Sequence, residues 1–272
     1  MQVPPRACDC HVHIFGPAAR FPFVAHRAYT PPDASIGKLL ELQKRLGFER
    51  VVIVHPSPYG TDNSCTLDAL SHLGARARGV AVIDKGISKT ELLEMHNLGI
   101  RGIRVNLETS GVHEPGAAQR LLQEATEQVA PLGWHVQTFT NLSLLRKAQI
   151  EDLRVPLVID HFGLPRTQDD VDYLASLLRS GKAYVKLSAP HRVPIDPGPV
   201  ARELIAANPE RCLWGTDWPH PFTRGPRKSA EVQPFDPIDD VAALHRFRGW
   251  VGDAALFRKI LVDNPARLYD FQ

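Results

Sequence analysis

Eight short apolar runs, each set off from the next by a polar or amphipathic stretch, recur through the 272 residues. The runs are residues 7–14, 51–56, 79–84, 102–107, 135–140, 157–161, 183–187 and 211–217. Several are dense in Val and Ile, as parallel strands covered on both faces should be. Between them, Ile36, Leu39, Leu40 and Leu46 fall near one helical face. Stretches 89–98, 117–130, 168–178, 200–208 and 239–245 read the same way. Gly47, Gly99, Gly133 and Gly181 each precede a strand candidate, where a left-handed C-terminal cap would stop a helix. Strand–helix alternation predicts a parallel sheet, and eight repeats predict an α/β fold of the (β/α)₈ TIM-barrel type, one domain over residues 1–272. No Gly-x-Gly-x-x-Gly turn follows an early strand, which argues against an open doubly wound sheet.

Barrels of this kind run to about 250 residues, so the length requires no second domain. A net charge of +2 with no long basic run makes nucleic acid a poor partner. No apolar stretch is long enough to span a bilayer and no leader-like segment is visible, so a cytoplasmic location is expected. Of the four cysteines, Cys8 and Cys10 alternate with Asp9, His11 and His13. Strict alternation would turn them outward to the helix layer as small buried residues. The exterior of such a barrel can self-associate, so a homo-oligomer is compatible with the sequence, although no patch identifies an interface.

In a barrel the active site lies at the C-terminal ends of the strands. His11 and His13 are two apart on the first strand, so both imidazoles reach one point at that rim, to bind a metal or polarise a carbonyl. Asp217 ends the last strand, beside the first across the seam. It suits a general base, a metal ligand or a buried loop cap. His161 ends the sixth strand and also aims at the rim, whereas alternation turns Asp160 the other way. Arg104, deep in the fourth strand, needs an anion from protein or substrate, and a substrate carboxylate is the attractive partner. Tyr29, Ser57 and His220 sit on loops from which they could line the pocket. The long loops 16–33 and 219–237 emerge at the same rim, the second carrying Arg224, Arg227 and Lys228. His135, at the start of its strand, reads as structural.

These segments together resemble the 2-pyrone-4,6-dicarboxylate lactonase group of the amidohydrolase superfamily. The motifs are Asp9-Cys10-His11-Val12-His13, Gly102-Ile103-Arg104-Val105-Asn106, Asp160-His161-Phe162-Gly163, Leu213-Trp214-Gly215-Thr216-Asp217-Trp218-Pro219-His220 and Asp263-Asn264-Pro265-Ala266-Arg267. The resemblance implies hydrolysis of a carboxylated lactone, from aromatic catabolism or from sugar acids. It implies Asp217 as the base for water and His11, His13 and His161 around the lactone carbonyl. It also implies Arg104 on a substrate carboxylate, helped by Tyr29 and Ser57.

Two departures bear on substrate and metal. The stretch after Arg104 reads Asn106-Leu107-Glu108-Thr109-Ser110, without the basic residue that would grip a second carboxylate, although Arg192 could partly substitute. The fourth and fifth strands offer no extra zinc ligands, and Arg104 would repel a cation near His11, His13 and Asp217. No required metal or other cofactor is therefore expected. The alternatives are a zinc-dependent decarboxylase using those three residues and a barrel that binds a small anion without catalysis.

Overall fold

The computed structural model describes residues 2–221 and 229–272. Arg224, Arg227 and Lys228 of the last rim loop lie outside the described residues. The strands are β1 (Cys8–Val12), β2 (Arg50–Val54), β3 (Ala77–Ala81), β4 (Ile100–Asn106), β5 (His135–Phe139), β6 (Leu157–Ile159), β7 (Ala183–Ser188) and β8 (Cys212–Gly215). They form one parallel sheet in chain order, matching all eight candidates. The helices that follow the first seven strands in turn are α1 (Ile36–Leu46), α2 (Ser64–Leu73), α3 (Lys89–Asn97), α4 (Pro115–Val129), α5 (Leu142–Lys147), α6 (Gln168–Arg179) and α7 (Pro197–Ala207). After β8 come α8 (Asp240–Val251), α9 (Ala254–Arg258) and α10 (Asn264–Tyr269). The expected stop at Gly47 is real: its φ of 81° is left-handed, and its N–H caps α1 at the Gln43 carbonyl.

The sheet nearly closes into a barrel at the β8–β1 seam. There Val12 bridges Trp218, and the Asp217 and His13 amides donate to the His11 and Trp218 carbonyls at 2.9 and 2.8 Å. A Cβ on Gly215 would fall 2.7 Å from the His11 nitrogen, so only glycine lets these backbones meet. Asp9 ties the same seam, accepting from the Thr216 amide at 3.0 Å and the Thr216 hydroxyl at 2.7 Å.

The expected outward direction of Cys8 and Cys10 is overturned. Both pack inside the barrel with Val52, Val54, Val80, Val158, Tyr184 and Leu213, above Tyr269 and Phe271. The physical reason is an irregularity in the β1–β2 register between Asp9 and Val12. It lets the adjacent Cys10 and His11 both face inward, which strict alternation forbids. All four cysteines are buried and unpaired. Among the described residues no helix is long and apolar enough to cross a membrane.

Candidate active site

Strand ends from both sides of the seam and from β6 converge on one carboxylate oxygen. Asp217 Oδ1 lies 3.6 Å from His11 Nε2, 3.6 Å from His13 Nε2 and 3.7 Å from His161 Nε2. Two backbone turns make this possible. His161 and Asp217 adopt left-handed φ of 50° and 70°, a costly conformation for non-glycine residues that swings each side chain over the barrel mouth. The other oxygen, Asp217 Oδ2, accepts from Arg192 Nε at 3.0 Å and Nη2 at 2.7 Å. Burial by itself would raise the Asp217 carboxyl, but Arg192 and the three histidines hold it well below the ordinary carboxylate range. Burial drives His161 down to about 3 and His11 well below its usual value, so both rings are neutral at working pH.

The far side of each ring is held differently. His13 Nδ1 lies 2.7 Å from the Val54 carbonyl, which can only accept, so this nitrogen carries the hydrogen. His161 Nδ1 meets the Ser188 hydroxyl at 2.8 Å. His11 Nδ1 has Lys186 Nζ at 3.4 Å and Asp160 Oδ1 at 3.2 Å.

Beneath the histidines lies a buried charged layer that the sequence reading did not assemble. Asp160 does not turn away: it shares the inward face of β6 with Val158, and the left-handed turn at His161 brings that ring to the same side. Its Oδ2 accepts from Arg104 Nη2 at 3.2 Å and Gln137 Nε2 at 3.0 Å. Lys186 Nζ donates to Gln137 Oε1 at 2.6 Å and pairs with Asp160 Oδ1 at 3.6 Å. Lys186 and Asp160 are fully buried. The missed signal was a lysine on the inward face of a strand reading Ala-Tyr-Val-Lys-Leu-Ser, where an unpaired charge would be prohibitive.

A narrow cleft opens above these groups, lined by His13, His161 and Asp217 with Tyr29, Ser57, Arg104, Asn106, Thr109, Phe139 and Arg192. Arg104 thus reaches the cleft while holding a protein anion. Its Nε has no hydrogen-bond partner among the described residues, and its guanidinium lies 5.8 Å from the Phe139 ring. His220 is placed elsewhere: its Nε2 is held by Asp240 at 3.0 Å, and it does not line the cleft.

Ligand atoms of His11, His13 and Asp217 lie within 4.8 Å of one another, a spacing that a divalent cation could use. The charge balance opposes it. Arg192 occupies Asp217, and Arg104 and Lys186 occupy Asp160, so three cationic side chains already face two carboxylates. A dication would add two further buried positive charges with no carboxylate left to offset them. The set fits a metal in distance but not in charge.

The chain is 34% identical over 291 aligned residues to the 2-pyrone-4,6-dicarboxylate hydrolase of Comamonas testosteroni, covering 98% of this chain and 91% of that one. It is 35% identical over 281 residues to the 4-sulfomuconolactone hydrolase of Rhizobium radiobacter, with the same coverage. The solved structure of a probable 2-pyrone-4,6-dicarboxylic acid hydrolase from Acinetobacter baumannii, with citric acid bound, matches at a TM-score of 0.81 and 25% identity over 98% of this chain and 100% of that one. The amidohydrolase family model spans residues 8–271. The chain therefore belongs to the amidohydrolase family.

Proposed function

We propose that this protein hydrolyses a carboxylated lactone, without a metal, by Asp217-promoted attack of water on a carbonyl polarised by histidine. The observation that carries this reading is the single oxygen of the cleft-lining Asp217, Oδ1, within 3.6–3.7 Å of three imidazole nitrogens. Asp217 is ionised and its Oδ1 is not taken up by Arg192, so it can accept a proton from water. In its neutral form His13 presents a lone pair at Nε2, because Nδ1 donates to Val54. His13 and Asp217 therefore form an acceptor pair for the two hydrogens of a water molecule. His11 and His161 serve the carbonyl oxygen as negative charge develops on it. Water loses its proton to Asp217 as its oxygen bonds to the carbonyl carbon. The ring C–O bond then breaks, and the proton passes from Asp217 to the leaving oxygen.

Arg104 in the cleft wall supports a substrate carboxylate, with Tyr29 and Ser57 supplying hydroxyls. The neighbouring lining residues Asn106 and Thr109 are uncharged. That favours a lactone with one carboxylate and polar substituents over one with two carboxylates. The four unpaired cysteines support a cytoplasmic setting.

The test is hydrolysis of a carboxylated-lactone panel, including 2-pyrone-4,6-dicarboxylate and sugar-acid lactones, by chelator-treated protein assayed for zinc. Turnover by metal-free protein is the expected result. Turnover only after zinc is restored would make His11, His13 and Asp217 metal ligands and overturn the mechanism. Tight binding across the panel without turnover would leave a small-anion receptor instead.

A further inference from the structure

We propose that Lys186 is a positioning residue that holds His11 as its Nε2–H tautomer, so that a hydrogen-bond donor points at the substrate carbonyl. The consequence for catalysis rests on the lactonase reading; the tautomer itself does not.

Which hydrogen His11 carries is decided by what faces its Nδ1. Two groups compete there. Lys186 Nζ makes a hydrogen bond to Nδ1 at 3.4 Å, and an ammonium can only donate, which requires a bare Nδ1 and a hydrogen on Nε2. Asp160 Oδ1 is nearer, at 3.2 Å, and a carboxylate can only accept, which would require the opposite tautomer. Geometry separates them. Asp160 Oδ1 is buried and receives no hydrogen bond from a described residue, so it lies off the direction in which an Nδ1–H would point. Lys186 is well placed to dominate. It donates to Gln137 Oε1 at 2.6 Å, which turns the Gln137 amide so that its Nε2 donates to Asp160 Oδ2 at 3.0 Å. A second hydrogen meets His11 Nδ1, and Asp160 Oδ1, 3.6 Å away, balances the charge of the ammonium without a hydrogen bond.

The other end of the ring shows the purpose. His11 Nε2 is buried with no hydrogen-bond partner among the described residues and faces Asp217 Oδ1 from 3.6 Å, beyond hydrogen-bond reach. A donor held in that state is costly to the free protein and is satisfied when an acceptor oxygen enters. His13, two residues on, is fixed in the opposite sense by the Val54 carbonyl. The two neighbouring imidazoles therefore present a donor and an acceptor to the same point. One serves the carbonyl oxygen and the other serves the water. A lysine on one side and a backbone carbonyl on the other make that division.

The experiment is a ring-nitrogen NMR spectrum of the full chain labelled with ¹⁵N-histidine, with His11 assigned by its absence in His11→Gln. In the wild type, a hydrogen on Nε2 and a bare Nδ1 are expected. In Lys186→Met the hydrogen should move to Nδ1, facing Asp160, and kcat should fall on the order of 10²-fold while KM changes little. A wild-type spectrum with the hydrogen on Nδ1 overturns the proposal, even if Lys186→Met does not fold. So does a folded Lys186→Met protein that keeps the Nε2 hydrogen or its kcat. Should the tautomer behave as stated while no lactone is turned over, the lactonase reading fails and the role of Lys186 in setting the tautomer stands.

Discussion

The two mouths of the barrel receive the same kinds of residue and use them differently. At the N-terminal mouth, Arg78 donates to the chain-end carbonyls of Tyr269 and Asp270 at 3.1 and 2.7 Å, Arg101 pairs with the Asp270 carboxylate at 3.2 Å, and Arg50 binds the Gln272 carbonyl. The guanidinium carbons of Arg50 and Arg78 sit 5.0 and 4.7 Å from the Phe271 ring. At the C-terminal mouth, all three of Arg104, Arg192 and Lys186 hold side-chain carboxylates, where below only Arg101 of the three arginines does. Both mouths bury polar atoms that have no hydrogen-bond partner among the described residues: Tyr269 Oη and both His135 nitrogens below, His11 Nε2 and Arg104 Nε above. The difference lies in what they face. Tyr269 and His135 face each other edge-on at 5.1 Å in a closed interior, whereas Arg104 lines the cleft and His11 Nε2 lies 3.6 Å from the oxygen of a cleft-lining residue, Asp217. Left-handed backbone occurs at both mouths but is denser at the upper one: His161, Phe162, Leu164, Ala189, Asp217 and His220 have positive φ past the ends of β6, β7 and β8, against Arg6, Gln149 and Asp270 on the other side. At His161 and Asp217 the strain aims side chains over the cleft.

The sharpest way to break this contrast is Asp217→Asn. It removes the proposed base, and it strands Arg192 at the upper mouth. We expect kcat to fall by roughly 10²–10⁴ while the protein stays folded. Steady-state kinetics with a thermal melt on the same sample checks it. Full kcat in a folded variant would sink the mechanism.

Acid probes both mouths together. Burial pushes His55 down to about 4 and His135 and His161 to about 3. Their unfolded forms take up protons near pH 6.5, so the unfolded state binds more protons than the native state below that pH. Stability from these three groups therefore falls as pH drops from about 6.5 toward 3. Asp9 acts in the opposite sense: burial raises its carboxyl to about 7, so between about 4 and 7 the native state holds a proton that the unfolded state releases. Three histidines against one aspartate give a net loss, read as a lower Tm at pH 5 than at pH 7. A Tm that is flat or rises over that interval would mean that the histidines are charged in the fold.

Phe271→Ala acts on the lower mouth alone. Phe271 is almost fully buried against the inner cluster and beneath two guanidiniums. Its truncation should cost about 3 kcal/mol of stability and leave kcat unchanged under conditions where the variant is folded. A loss of kcat in fully folded protein would show that the lower plug is coupled to the cleft.

What was legible in the sequence follows a similar division. The eight strands were readable because fully covered parallel strands are apolar throughout, and helix ends such as Gly47 because a left-handed cap calls for glycine. Helices α2 and α5 were not: the buried face of α2 mixes Cys65, Thr66 and Ala69 with two leucines, and the six residues of α5 carry too little periodicity to register. His11, His13, His161 and Asp217 were placed at one rim because they are polar groups at apolar strand ends. Cys10 and Asp160 were misdirected for one reason. Alternation holds only while the backbone stays regular, and the register shift in β1 and the left-handed turn at His161 are not written in residue type. Lys186 stands alone as a charge in an apolar strand, with no partner near it in sequence. Only the closure of the barrel shows that it is enclosed between Gln137, Asp160 and His11.

The smallest expected effect separates idle from functional unpartnered atoms. Tyr269→Phe removes a buried hydroxyl that has no partner among the described residues and keeps the ring that packs on His135. A buried hydroxyl without a hydrogen bond costs about 1–3 kcal/mol of desolvation, so its removal should be stabilising by about 1 kcal/mol. The variant should melt a few degrees higher at most, with kcat and KM unchanged. The corresponding loss at the upper mouth, His11 Nε2 removed in His11→Gln, should instead lower kcat. If Tyr269→Phe destabilises, the hydroxyl has a partner inside the barrel. The lower mouth would then be a satisfied network, and unpartnered polar atoms would be a property of the catalytic mouth alone.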